Sequence, residues 1–144
     1  METNMITIQD AVQIAGLAQI VLVVGSLGVP GVLQFNVELA KVQTLIKQMF
    51  WTYAGYILVT NLCFGFVSLF ASSELLNGSV LAGFVTGFIA AYWISRVLVQ
   101  FFYFDRLSFP KGKWHKLAEV TLVTLFISLS IIYSYAFYVN FKQI

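Results

Sequence analysis

The chain has 144 residues, 60% hydrophobic, 17% aromatic and only 10% charged, with a mean hydropathy of +0.88. A soluble domain carries roughly 25% charged and 45–50% apolar residues, and one of this size still exposes about 30% of its unfolded surface, so a water-soluble globule is excluded. Disorder, coiled coil, collagen and disulfide-rich secreted folds fall by the same figures, and a net charge of +2 gives no footprint for nucleic acid.

What is left is an all-α integral membrane protein. A helix crossing roughly 30 Å of hydrocarbon needs about 20 mostly apolar residues. Four segments supply them, at about 11–33, 49–71, 80–104 and 117–139. No internal repeat or long linker divides them, so 1–144 is expected to form a single four-helix transmembrane domain. Ahead of the first span stand Glu2 and Asp10 with no Lys or Arg. A secretory signal peptide wants a positive start and a shorter apolar core, so the first helix is expected to be retained.

Within the first span Gln19 lies near the midplane, and Gly25, Gly28, Pro30 and Gly31 predict a kink or an early helix end. Next, Phe35, Leu39, Val42, Ile46 and Met49 recur at four and three, with Glu38, Lys41, Gln43 and Lys47 elsewhere on the wheel. That is amphipathic helical periodicity. It predicts a helix on the cytoplasmic face of the bilayer or an extension of the second span; a docking surface for a partner is the sharper alternative. On the second span, Thr60 and Asn61 are again near mid-depth. Like Gln19, they are expected to bond between helices, each bond worth about 1 kcal/mol or less.

The third span carries the one basic residue inside a membrane segment, Arg96, its Cα about 12 Å below the boundary near Asp105 at 1.5 Å per residue. Gln100 stands one turn nearer that boundary, and Thr86, Trp93 and Tyr103 share the stripe at three-to-four spacing. Tyr56 on the second span reaches similar depth, and Glu119 opens the fourth. Joined, Arg96, Gln100, Tyr56 and Glu119 make a polar cluster able to bind an anionic head group, a carboxylate or a small anion. The same four also suit an Arg–Glu pair that locks the third helix to the fourth, or an Arg that snorkels to lipid phosphates. Gly83 and Gly87 suggest close helix packing, within the chain or between copies. On the fourth span Thr121, Thr124, Ser128 and Tyr135 share a face that suits a polar groove or ordinary packing.

Basic residues fall on one side: Lys41 and Lys47 in one loop, Arg106, Lys111, Lys113 and Lys116 in another, against Lys142 alone on the other side. The bias puts both termini outside the cytoplasm. Phe50, Trp51, Tyr53, Phe101, Phe102, Tyr103 and Trp114 fit the aromatic belt of the cytoplasmic interface. The loop residues Arg106, Lys111, Lys113, Trp114 and Lys116 are expected to rest on anionic lipid, at about 1 kcal/mol per basic residue.

Catalytic patterns are missing. The one histidine, His115, lies in a loop, so no Ser–His–Asp set forms, and no phosphate-cradling or zinc-protease motif occurs. His115 and the lone Cys63 are too few ligands for haem, zinc or iron–sulfur groups, so no metal or other cofactor is expected. The pattern lacks the mid-span Glu of small multidrug carriers and the paired histidines of haem-anchoring subunits. Its general look is that of small bacterial integral membrane proteins, which makes a bacterial inner membrane the expected location. The expected function is a non-enzymatic accessory or scaffold subunit acting through helix–helix and lipid contacts, in a homo-oligomer or a larger membrane complex. The alternative is an oligomeric channel or carrier for a small anionic solute or lipid, built on the Arg96 cluster. An intramembrane enzyme acting on lipid ranks third.

Overall fold

The computed structural model describes residues 2–105, 107 and 111–144, with side chains from Thr7 onward. Arg106, one of the expected lipid-surface residues, lies outside the described residues. All regular structure among the described residues is helical: α1 (Glu2–Ser26), α2 (Val29–Val32), α3 (Phe35–Leu39), α4 (Thr44–Phe70), α5 (Ser72–Leu75), α6 (Val80–Phe102) and α7 (Lys113–Gln143). Four stretches are long and apolar enough to cross a membrane: Thr7–Val32, α4, α6 and α7. The helices overrun the apolar segments at the starts of α1, α4 and α7 and at the end of α7. The 31 residues of α7 make about 46 Å of helix at 1.5 Å per residue, more than the hydrocarbon requires.

The first span breaks where glycine and proline cluster. α1 stops at Ser26, whose hydroxyl donates back to Leu22 O at 2.7 Å, and Pro30 sits in the first turn of α2, where its missing N–H costs nothing. Gln34 then turns the chain in a left-handed conformation (φ 53°). The periodic stretch 35–49 is divided between α3 and the start of α4. Phe35 holds the two together, its ring edge-on to Phe50 at 5.2 Å and to Trp51 at 6.1 Å.

α1 packs along α4, and α6 along α7. The first pair meets at glycine: a Cβ added at Gly16 lies 2.7 Å from both Gly65 O and Leu69 N. In the second, Gly87 lies under the Phe137 ring and Gly83 beside Ile144 and Asn140, so both glycines serve packing inside this chain. The pairs join chiefly through α1 and α7. One core gathers Ala15, Ile89, Ala90, Trp93, Phe126, Leu129 and Tyr133. A second lies nearer the termini, where Leu75 and Leu76 pack on Ile8, Val12 and Ala136. α5 thereby closes the end that holds both termini.

Candidate functional site

A set of polar side chains on the long helices is buried between them: Gln19, Ser68, Thr86 and Asn140. Gln19 is fully buried. Its Nε2 donates to Ala15 O at 3.1 Å and to the Tyr133 hydroxyl, and its Oε1 accepts from Trp93 Nε1 at 3.2 Å. The Tyr133 hydroxyl in turn bonds to Ser68 Oγ. One residue from each long helix thus enters a single network: Gln19 from α1, Ser68 from α4, Trp93 from α6 and Tyr133 from α7. Both donors and the acceptor of the Gln19 amide are used, which removes the desolvation cost of an amide at this depth. Helical spacing explains the convergence, since Phe126, Leu129, Tyr133, Ala136 and Asn140 are all buried at intervals of three and four on α7.

A second polar knot holds the closed end. Asn140 is also fully buried; its Nδ2 donates to Leu75 O at 2.7 Å and to Thr86 Oγ1 at 3.2 Å, and its Oδ1 accepts from Gly78 N at 3.1 Å. Gly78 has φ +73°, and an added Cβ would collide with the Gln143 side chain, so glycine is needed here for conformation and for room. Ser72 accepts from Gln13 Nε2 at 3.1 Å and from Gln9 Nε2 at 3.4 Å, tying α1 to α5. Ser79 caps α6 by accepting from Ala82 N at 3.1 Å.

Of the cluster expected around Arg96, the structure brings together two members. Arg96 Nη1 donates to Gln100 Oε1 at 3.4 Å. The guanidinium lies over the Phe126 ring at 4.9 Å and the Phe104 ring at 5.1 Å, contacts that suit a weakly hydrated planar cation. Glu119, half-buried near the start of α7, forms no ion pair with Arg96; among the described residues the ion pair present is Lys41–Glu38. Tyr56 is 66% exposed on the outer side of α4 and makes no hydrogen bond to Arg96. Thr60 and Asn61 are half-buried on α4. Asn61 faces Tyr92, yet its Oδ1 is buried without a hydrogen-bond partner.

Lys111, Lys113 and Lys116 are exposed, as is Trp114. On α7 the hydroxyls of Thr121, Thr124 and Ser128 turn back to Leu117 O, Val120 O and Thr124 O on exposed helix surface. They satisfy themselves and line no polar groove.

An apolar cleft of about 770 Å³ separates α1 from α7 at the end away from the termini. Ile14, Leu17, Ala18, Val21, Leu22 and Gly25 line it from α1, and Trp114, Leu117, Ala118, Thr121, Leu122 and Leu125 from α7. Each stripe repeats at three-and-four spacing, so each is one apolar face of its helix turned to the cleft.

Compared with family models, curated proteins and solved structures, the chain matches none. The site therefore has to be read from its own chemistry. Among the described residues no group of His, Cys, Asp or Glu stands ready to hold a metal ion.

The network residues that sequence reasoning passed over are Ser68, Tyr133, Ser72 and Asn140. The signal for the α7 pair was present: Tyr133 and Asn140 lie seven apart, two turns, in step with Phe126. For Ser68 and Ser72 no spacing in the sequence distinguishes them from other serines of apolar helices.

Proposed function

We propose that the chain is a non-enzymatic accessory or scaffold subunit of a membrane complex. What carries this reading is α4. It packs chiefly on α1 and has 17% of its apolar window buried against 33% for α6. Thr52, Tyr56, Val59, Cys63 and Phe66 form an outward line at three-to-four spacing and are exposed. A Cβ added at Gly55 meets nothing within 4 Å, leaving room for another helix to approach. The fully buried polar side chains Gln19, Ser68, Thr86 and Asn140, by contrast, bond within the chain.

In this reading the two helix pairs form a four-helix bundle in a bacterial inner membrane, with both termini on the non-cytoplasmic side. Support comes from the six-to-one distribution of basic residues. The stretch 35–49 rests as an amphipathic segment on the cytoplasmic face, anchored by Phe35, Phe50 and Trp51. Photocrosslinking in native membranes tests the subunit role. A photoreactive residue at Tyr56 is expected to capture a foreign membrane protein at a defined mass, while one at the buried Val12 captures only this chain. Lipid adducts alone from Tyr56, Cys63 and Phe66 contradict it.

One observation favours a second reading, a site for a small anion. Arg96 has no carboxylate within ion-pairing distance among the described residues, and its guanidinium has donors beyond the one given to Gln100. If this cation serves transport, Arg96→Leu abolishes anion flux into proteoliposomes and leaves the thermal midpoint in place. If it serves packing between Phe104 and Phe126, the same change lowers the midpoint and no flux is there to lose.

A further inference from the structure

We propose that the α1–α7 cleft is the seat of one acyl chain of an anionic phospholipid of the leaflet that meets the basic loops. This goes beyond the subunit role, which concerns the outer side of α4.

The cleft has the dimensions of half a bilayer. From Trp114 to Leu125 its α7 wall runs eleven residue steps, about 16 Å at 1.5 Å per residue, against about 15 Å for half of the 30 Å hydrocarbon. Its volume of about 770 Å³ is in the range of ligand pockets, roughly 300–1,000 Å³. The walls are unpartnered: Ile14 is 67% exposed, Val21 63% and Leu117 58%, although α1 and α7 are joined through the Gln19–Tyr133 bond.

Charge identifies the occupant. Lys113 and Lys116 flank Trp114 in the first turn of α7, and Lys111 precedes it by three residues; all are exposed. A lipid chain in the cleft carries its phosphate to this mouth, where lysines attract anionic head groups and an indole ring sits at head-group level. A helix of a partner or of a second copy would also bury the apolar walls, but nothing at the mouth of the cleft asks for one, whereas the lysines ask for a phosphate.

The test uses the full-length protein, delipidated in detergent, and native mass spectrometry. Phosphatidylglycerol and phosphatidylcholine with identical acyl chains are titrated separately. The expected result is one tightly retained phosphatidylglycerol per chain, with phosphatidylcholine retained roughly tenfold less. Lys113→Gln with Lys116→Gln is expected to erase the head-group preference while a lipid is still held. Ala118→Phe, which fills the cleft, is expected to cut retention of both lipids at least tenfold; an unchanged thermal midpoint shows that it folds. Equal retention of the two lipids by the unaltered protein overturns the proposal. So does unchanged retention in folded Ala118→Phe, or a change there in oligomer or subunit mass in place of lipid mass. None of these results depends on whether Tyr56 meets a partner.

Discussion

Gly16→Ala is expected to lower the thermal midpoint of the protein in detergent or lipid by more than Gly65→Ala, with Gly25→Ala and Gly55→Ala harmless. The order follows from what each new methyl meets. At Gly16 it lies 2.7 Å from Gly65 O and from Leu69 N, both backbone atoms, and 2.9 Å from Ser68 Cβ. Backbone has no rotamer into which to retreat, so α1 and α4 must separate, and Ser68 leaves the Tyr133 hydroxyl with them. At Gly65 the nearest atom is Ile20 Cγ1, a side chain with another rotamer, although Gly16 O at 3.0 Å still makes the change costly. Gly25 and Gly55 have nothing within 4 Å of the new methyl, and alanine suits a helix better than glycine by roughly 0.5–1 kcal/mol. Overpacking typically costs about 1–3 kcal/mol, and a clash with backbone belongs at the upper end. Equal losses at Gly16 and Gly55 would mean that the two helices do not meet in this register.

Gln19→Leu is expected to destabilise the protein by about 2–3 kcal/mol, whereas Asn61→Leu at similar depth costs little or nothing. Leucine nearly matches glutamine in volume, so no large cavity enters the comparison. What is lost is an amide making bonds to Ala15 O, Tyr133 and Trp93, and what remains is a buried indole N–H without an acceptor. Interhelical bonds in membranes average about 0.6 kcal/mol and reach about 1.7, while an orphaned buried donor costs about 1–3 kcal/mol. Asn61 already has an orphaned Oδ1, so leucine removes a liability there along with the contact to Tyr92. Unfolding by a graded denaturing detergent measures both. Tyr133→Phe in the Gln19→Leu background adds less than it does alone, because the two share one bond. Full additivity would mean that the network does not act as a unit.

The four helices long and apolar enough to cross a membrane could be read from the sequence because the apolar runs are long and their ends polar. The break after Ser26 was announced by Gly25, Gly28 and Pro30. The buried face of α6 was visible too: Thr86, Trp93 and Gln100 stand seven apart, and all three are buried. Tyr103 continues that spacing but is 81% exposed, since the helix ends at Phe102 and periodicity has no meaning beyond it. In the Arg96 cluster, Gln100 follows from helical spacing, whereas Tyr56 and Glu119 rest on depth. Depth places Tyr56 level with Arg96 but says nothing of azimuth, and the packing of α4 on α1 turns Tyr56 outward. Gln19 was expected to bond between helices, and it does; its partners were not visible. The neighbouring Thr121–Ser128 face stands out equally in the sequence, but the hydroxyls of Thr121, Thr124 and Ser128 each reach their own backbone.

The proposed subunit role assigns the fully buried polar side chains to the chain's own cohesion and the outer apolar face of α4 to a partner. Native mass spectrometry of the protein released from its membrane with its own lipids tests that most directly. The account predicts a foreign subunit in fixed ratio, retained in Arg96→Leu as in the unaltered chain. A homo-oligomer free of foreign protein, whose anion flux disappears with Arg96→Leu, would contradict it.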